Sequence, residues 1–160
     1  MPSARVFLDS VLESALTSLT SSPVDVFTFA FYHDHESKAV SICIDTAESS
    51  DRHVPSSNKW TMKYFFEHIA SGSLDEARLF RANSGRSLSL GDFAAVNVAR
   101  TDIPSRIRLG EAFYIEMARS VIARQQDILR HSSTPEMVVF CCSGPDEEID
   151  LVWTPFTDEA

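Results

Sequence analysis

Hydrophobic and polar positions alternate most regularly between Val24 and Thr46. In VDVFTFAFY, Phe27, Phe29 and Phe31 share one parity, with Val26, Thr28 and Ala30 between them. In AVSICIDT, Val40, Ile42 and Ile44 share one parity, and Ser41, Cys43 and Asp45 take the other. Successive side chains of a strand point to opposite faces, so each run has one face fit for burial. The six polar residues HDHESK between the runs suit a hairpin loop. A lone hairpin is marginal in water, so this one needs further strands or covering helices.

The rest of the pattern offers both. Ala4 to Thr20 carries Val6, Phe7, Val11, Leu12, Ala15, Leu16 and Leu19 at helical spacing, with Ser3 placed as an N-cap. Pro23 ends that helix. Ala47 to Asn58 reads as a polar loop containing Pro55, and its twelve residues are long for a connection. Trp60, Tyr64, Phe65 and Ile69 then mark one face of a helix that stops at Gly72. Ser73 and Glu76 have the spacing of a capping box opening a short helix to about Ala82. Asn83 to Asp92 is a turn-rich loop. Phe93 to Arg100 fits a strand, and fits a helix nearly as well. From Ser105 or Gly110 to His131 runs the longest helix, with Phe113, Met117, Val121 and Ile128 in one row. Met137 to Ser143 is a buried-strand run, Gly144 to Glu147 is turn chemistry, and Ile149, Leu151 and Trp153 alternate with Glu148, Asp150 and Val152. These last segments form a second hairpin. Strands grouped as hairpins with helices between them predict a single α+β domain over residues 1–160. Its mainly antiparallel sheet is built from two hairpins with helices packed on it, and residues 154–160 form a loose tail.

Composition narrows the class. Hydrophobic residues at 44% and charged residues at 23% are ordinary globular usage. No apolar run approaches the roughly 20 residues that cross a bilayer. Asp9 and Glu13 interrupt any signal-peptide core at the N-terminus. A cytoplasmic protein is expected, and Cys43, Cys141 and Cys142, in apolar strand runs without CxxC spacing, are expected to be buried thiols. The net charge of −9 argues against nucleic-acid binding, which needs a basic footprint. Acidic residues cluster: seven from Glu136 onward with no Lys or Arg, and six between Val24 and Asp51 against one Lys38. Such a surface can steer a basic partner or simply keep the chain in solution.

Candidate chemistry is sparse. His33-Asp34-His35-Glu36 has metal-ligand residue types, but spacing supplies no third ligand, so a solvated turn with no metal is expected. The loop holding Asn83, Arg86, Ser87 and Asp92 resembles a phosphate cradle in composition only, since neither phosphate-loop spacing is present. No serine sits in GxSxG, and the cysteines lie in core strands. No cofactor is implied.

Phe29-Ala30-Phe31-Tyr32, Asp45-Thr46-Ala47-Glu48 and Asn58-Lys59-Trp60, together with the late VVFCCSGPDEEIDLVW, resemble a family of small bacterial proteins of undefined biochemical function found beside polymorphic-toxin genes. The resemblance implies an opening helix, a hairpin, a Trp-bearing segment that starts a helix, and a late strand pair. It implies binding rather than catalysis, as in toxin-immunity proteins, and carries over no catalytic residue. The polar Ala47–Asn58 stretch departs from it. The favoured expectation is a non-enzymatic immunity-type protein that neutralises a cognate toxin through Asp34, Glu36, Glu48, Asp51, Asp146, Glu147 and Glu148. The alternative is a small-molecule-binding or enzymatic domain that uses Asn83, Arg86, Ser87 and Asp92.

Overall fold

A computed structural model describes residues 3–155; the expected tail beyond Pro155 lies outside the described residues. In chain order the main elements are α1 (Ala4–Ser21), β1 (Thr28–Asp34), β2 (Ala39–Asp45), α2 (Ala47–Ala70), α3 (Leu74–Ala77), β3 (Ala95–Asp102), α4 (Glu111–Leu129), β4 (Val139–Cys142) and β5 (Leu151–Trp153). They fall into two compact units. A sheet unit takes the chain up to Thr46 and from Ala94 onward, and a helical unit takes Ala47–Phe93.

The sheet unit is α+β. Its five strands run in the order β3-β2-β1-β4-β5. β1 and β2 pair antiparallel from Thr28↔Asp45 to Asp34↔Ala39. β2–β3 and β4–β5 are also antiparallel, whereas β1 and β4 are parallel from Thr28↔Val139 to Phe31↔Cys142. The sheet is thus mixed and mostly antiparallel. It includes a strand, β3, and a parallel join that a sheet of two hairpins does not contain.

The parity read from the sequence sets the buried face. Phe29, Phe31, Val40, Ile42, Ile44 and Phe140 meet Leu8, Leu12, Leu19, Phe113, Met117 and Val121 of α1 and α4 in one core. Each such side chain contributes about 1.5–3 kcal/mol by leaving water. Phe29 and Phe140 touch edge to face at 6.1 Å, across the parallel join. Ser3 caps α1 as expected, accepting from the Val6 amide at 3.3 Å. Polar rims tie α1 to α4: Arg5 reaches Asp9 at 2.9 Å and Glu116 at 3.4 Å, and Ser120 Oγ donates to Asp9 at 2.6 Å. All three cysteines are buried thiols.

Phe93 to Arg100, open between helix and strand in the sequence, belongs largely to β3. Asn97 stands at φ 52° beside a register shift between Ile42 and Ile44, and its Oδ1 accepts from Ser41 Oγ at 2.8 Å. A bulge of this kind on an edge strand breaks the alternation that would have announced it.

The helical unit overturns two expectations. Ala47 to Asn58 is not a loop but the first half of α2, with Pro55 inside the helix. Its helical face is polar because it is held by hydrogen bonds rather than apolar burial. Ser50 Oγ accepts from the Ser87 amide at 2.7 Å. Asn58 exchanges two bonds with the Asn83 backbone, at 2.7 and 2.9 Å. The helix stops at Gly72, whose φ of 77° suits glycine. The Ser73–Glu76 capping box does not form: Ser73 makes no side-chain cap, and Glu76 instead meets His68 Nδ1 at 2.9 Å. α3 accordingly ends at Ala77. Phe80 stacks on Tyr64 at 5.5 Å and on His68 at 5.4 Å, and Trp60 lies 4.8 Å from Tyr64.

Candidate functional site

Parallel neighbours end at the same edge of a sheet. β1 and β4 therefore deliver the turn 35–38 and the loop 143–150 to one place. The backbone knits them together. The His33 amide donates to Ser143 Oγ at 2.8 Å, and Ser143 Oγ donates to Glu148 O at 2.5 Å. A ring nitrogen of His35 lies 3.2 Å from Gly144 O. The Gly144 amide donates to Glu147 O at 2.9 Å, folding the loop on itself. A Cβ on Gly144 would meet the Asp150 carboxylate, so a side chain there would have to displace Asp150.

The result is an acidic end to the sheet. Asp34 Oδ1 accepts from the amides of Glu36 and Ser37 at 3.1 and 3.3 Å, and Oδ2 accepts from Arg100 at 2.8 Å. The Arg100 hydrogen bond, with help from Ser37, holds the Asp34 carboxyl below the usual carboxylate range. Glu148 is pushed the other way: burial raises it, then the charges of Asp34 and Glu36, while His35 opposes. Carboxylates of the first loop thus act on Glu148 of the second. Asp146 likewise acts on Tyr114, which burial and the Asp146 charge both push up.

His33 corrects an expectation. Rather than a solvated tip residue, it is a buried β1 residue at 4% exposure. Its Nδ1 lies 3.0 Å from Tyr114 Oη, its ring meets His35 edge to face at 4.5 Å, and its Nε2 is buried without a hydrogen-bond partner. Burial, then the neighbouring His35, depresses its basicity. A cleft of about 320 Å³ lies beside Tyr114, lined also by Glu111, Ser143, Gly144 and Asp150.

Ser143 Oγ is engaged by an amide and a carbonyl, and the bond from His33 to it comes from the backbone amide, so Ser143 and the His33 ring do not form a nucleophile–base pair. Among the described residues no group of His, Cys, Asp and Glu is arranged to hold a metal ion. Nor is any described helix long and apolar enough to cross a membrane.

Five of the sequence-selected carboxylates, Asp34, Glu36, Asp146, Glu147 and Glu148, gather at this end. Glu48 and Asp51 belong to α2 in the helical unit, where Glu48 pairs with Arg52 at 3.3 Å. The alternative ligand loop is also in the helical unit. There the Asn83 backbone is bonded to Asn58, the Ser87 amide to Ser50, and Ser87 Oγ accepts from the Ser89 amide at 3.3 Å. Asp92 borders an open cleft of about 570 Å³ with His53, Trp60 and Ser89, which Asn83, Arg86 and Ser87 do not line. Sequence reasoning missed Tyr114, Ser143 and the role of Arg100. The available signal was a Tyr in the first turn of the long helix and an Arg on a strand running beside the first hairpin. No protein-family model matches the chain, and neither a curated protein nor a solved structure matches it significantly.

Proposed function

We propose that this chain is a non-enzymatic interaction protein that uses the acidic end of its sheet to occlude a basic surface on a partner protein. We further propose that the partner is a cognate bacterial toxin. The observation that carries the reading is the meeting of two acidic loops, 34–36 and 146–148, across a parallel strand pair. The raised Glu148 carboxyl supports it: burial is the main cause, and the charges of Asp34 and Glu36 add to it, a repulsion that a cationic partner would relieve. The fixed backbone of both loops adds support: a pre-formed patch binds without first being ordered.

The test is co-expression with the product of the adjacent gene, followed by association kinetics on the purified pair. Growth rescue and co-purification are expected. The association rate should fall as salt shortens the Debye length from roughly 10 Å at 0.1 M to 3 Å at 1 M. The variant D146K/E147K/E148K should fold and should associate more slowly. A salt-independent rate, or a triple variant as fast as the original, would assign these carboxylates to solubility alone.

A further inference from the structure

The cleft beside Tyr114 has a single chemical character. The start of α4 lines it with Glu111, Tyr114 and Ile115, and the chain from the second acidic loop into β5 lines it with Pro145, Asp150 and Leu151. Its hydroxyls are already engaged: Tyr114 Oη lies 3.0 Å from His33 Nδ1, and Ser143 Oγ donates to Glu148 O. The Gly144 amide is turned to Glu147 O. Two carboxylates remain. Neither Glu111 nor Asp150 makes an ion pair or a side-chain hydrogen bond among the described residues. The first turn of α4 suits a carboxylate at Glu111 but gives its oxygens no side-chain donor. The Asp150 carboxylate stands over Gly144, in space that a Cβ would contest.

Between those charges the walls are apolar and uncovered: Ile115 is 40% and Leu151 38% exposed. Tyr114 adds an aromatic surface, and rings of this kind attract cations. A volume of about 320 Å³ is at the small end for ligand sites, which run to about 1,000 Å³, and suits one side chain rather than a large cofactor. An apolar stem with a cationic head satisfies walls and carboxylates together, and Lys and Arg side chains have that form. An anion would add to the negative charge, and a neutral group would leave it unpaired. We propose that this cleft is the socket for one Lys or Arg side chain of the partner. The proposal rests on the reading that the partner is basic. It adds an anchor, Glu111 and Asp150, distinct from the acidic loops 34–36 and 146–148. Exposed charges mainly set the association rate, whereas a cationic side chain enclosed in a pocket mainly sets dissociation.

Two measurements test it. The first uses this chain alone: arginine, lysine and norleucine, each blocked as the N-acetyl methylamide, are titrated in while NMR shifts are followed. The arginine and lysine probes should give saturable shifts at Gly144, Tyr114 and Leu151, and the apolar norleucine probe should not. E111Q/D150N, at two exposed positions, should stay folded by circular dichroism and weaken the cationic probes by roughly tenfold or more. The second uses the purified pair. E111Q/D150N should mainly speed dissociation, whereas D146K/E147K/E148K should mainly slow association. Cationic probes that give no saturable shift, shifts that norleucine reproduces, or shifts that E111Q/D150N leaves intact overturn the socket. If those probes fail while the partner still associates in a salt-dependent way, the socket falls and the acidic patch stands. If the adjacent gene product does not bind while the arginine probe saturates and E111Q/D150N abolishes it, the toxin reading falls and the cation socket stands.

Discussion

The sheet unit and the helical unit use the same residue types in opposite ways. α1, at 18 residues, buries Phe7, Leu8, Val11, Leu12, Ala15, Leu16 and Leu19. α2, at 24 residues and richer in aromatic side chains, buries only Ser49 and Ser50. In one unit, large apolar groups leave water and the polar groups form a rim. In the other, serine and asparagine make the internal bonds, and Trp60, Phe66 and Leu79 face solvent. Charge divides similarly: the segment 47–93 is balanced, so the chain's net charge belongs to the sheet unit. A surface-exposed aromatic helix with a hydrogen-bonded root has little intrinsic cohesion, because each such bond nets only about 0.5–1.5 kcal/mol. Segments of that kind open before a packed core does.

The strongest way to break this comparison is to truncate one phenylalanine in each unit. Phe29→Ala should cost about 3–5 kcal/mol in urea unfolding, as a fully buried ring leaves a cavity. Phe66→Ala, the same chemical change at an exposed site, should stay within about 0.5 kcal/mol at low protein concentration. Equal costs would mean that Phe66 is packed as Phe29 is, against its 65% exposure.

Next comes the root of α2. Ser50→Ala removes the acceptor of the buried Ser87 amide and should cost about 1–3 kcal/mol locally. Amide exchange should speed up within 47–93 while Phe29 to Phe31 keep their protection. Uniform acceleration throughout the chain would dissolve the distinction.

Acidity sharpens the comparison inside the sheet unit, where two neighbouring carboxyls are shifted in opposite directions. The folded pKa of Glu148 is raised, so its ionisation costs stability, and that cost appears as pH rises from its unfolded value through its folded one. Glu148→Gln should therefore raise Tm at neutral pH, with the gain shrinking in acid. The folded pKa of Asp34 is lowered, so its contribution is present above the unfolded value and lost as pH falls through the folded one. Asp34→Asn should lower Tm at neutral pH and converge on the parent in strong acid. Thermal melts across the acid range check both signs.

The smallest effect belongs to the α1–α4 rim. Glu13→Gln, which breaks the Arg124–Glu13 pair, should shift stability by less than about 1 kcal/mol, because such partly exposed ion pairs are weak. A larger loss would show that the charged rim, and not only the apolar row beneath it, holds the two helices.

What could be read from the sequence follows from which force dominates where. Burial writes a period into the chain, so α1, β1, β2, β4 and the Phe113–Met117–Val121 row were legible from their apolar spacing alone. Hydrogen bonding leaves no such period. The root of α2, whose internal contacts run through Ser50 and Asn58, consequently looked like a loop, and Pro55 strengthened that impression. Strand pairing across the chain is not written locally either. Nothing in Phe29 to Phe31 names Phe140 to Cys142 as a parallel neighbour, so the acidic residues could be identified as types but not as a cluster. Glu48 and Asp51 were grouped with Asp34 as residues of hairpin tips and loops, whereas they belong to the helix α2. His33 was misread for a related reason: its burial comes from Tyr114 and Phe113, which lie far along the chain.

The parallel join has a further consequence in time. His33 and Ser143, which it brings together, are 110 positions apart. On a ribosome making roughly 5–20 residues per second, β1 waits on the order of 5–20 s for β4 to be synthesised. During that interval the strand destined for the middle of the sheet is an edge, carrying Phe29 and Phe31 with one side of its backbone unpaired. An exposed hydrophobic edge is a template for pairing with other chains. Nascent chains halted before β4 should accordingly be the aggregation-prone and chaperone-dependent species of this protein, and synthesis of β4 is the event that ends the exposure.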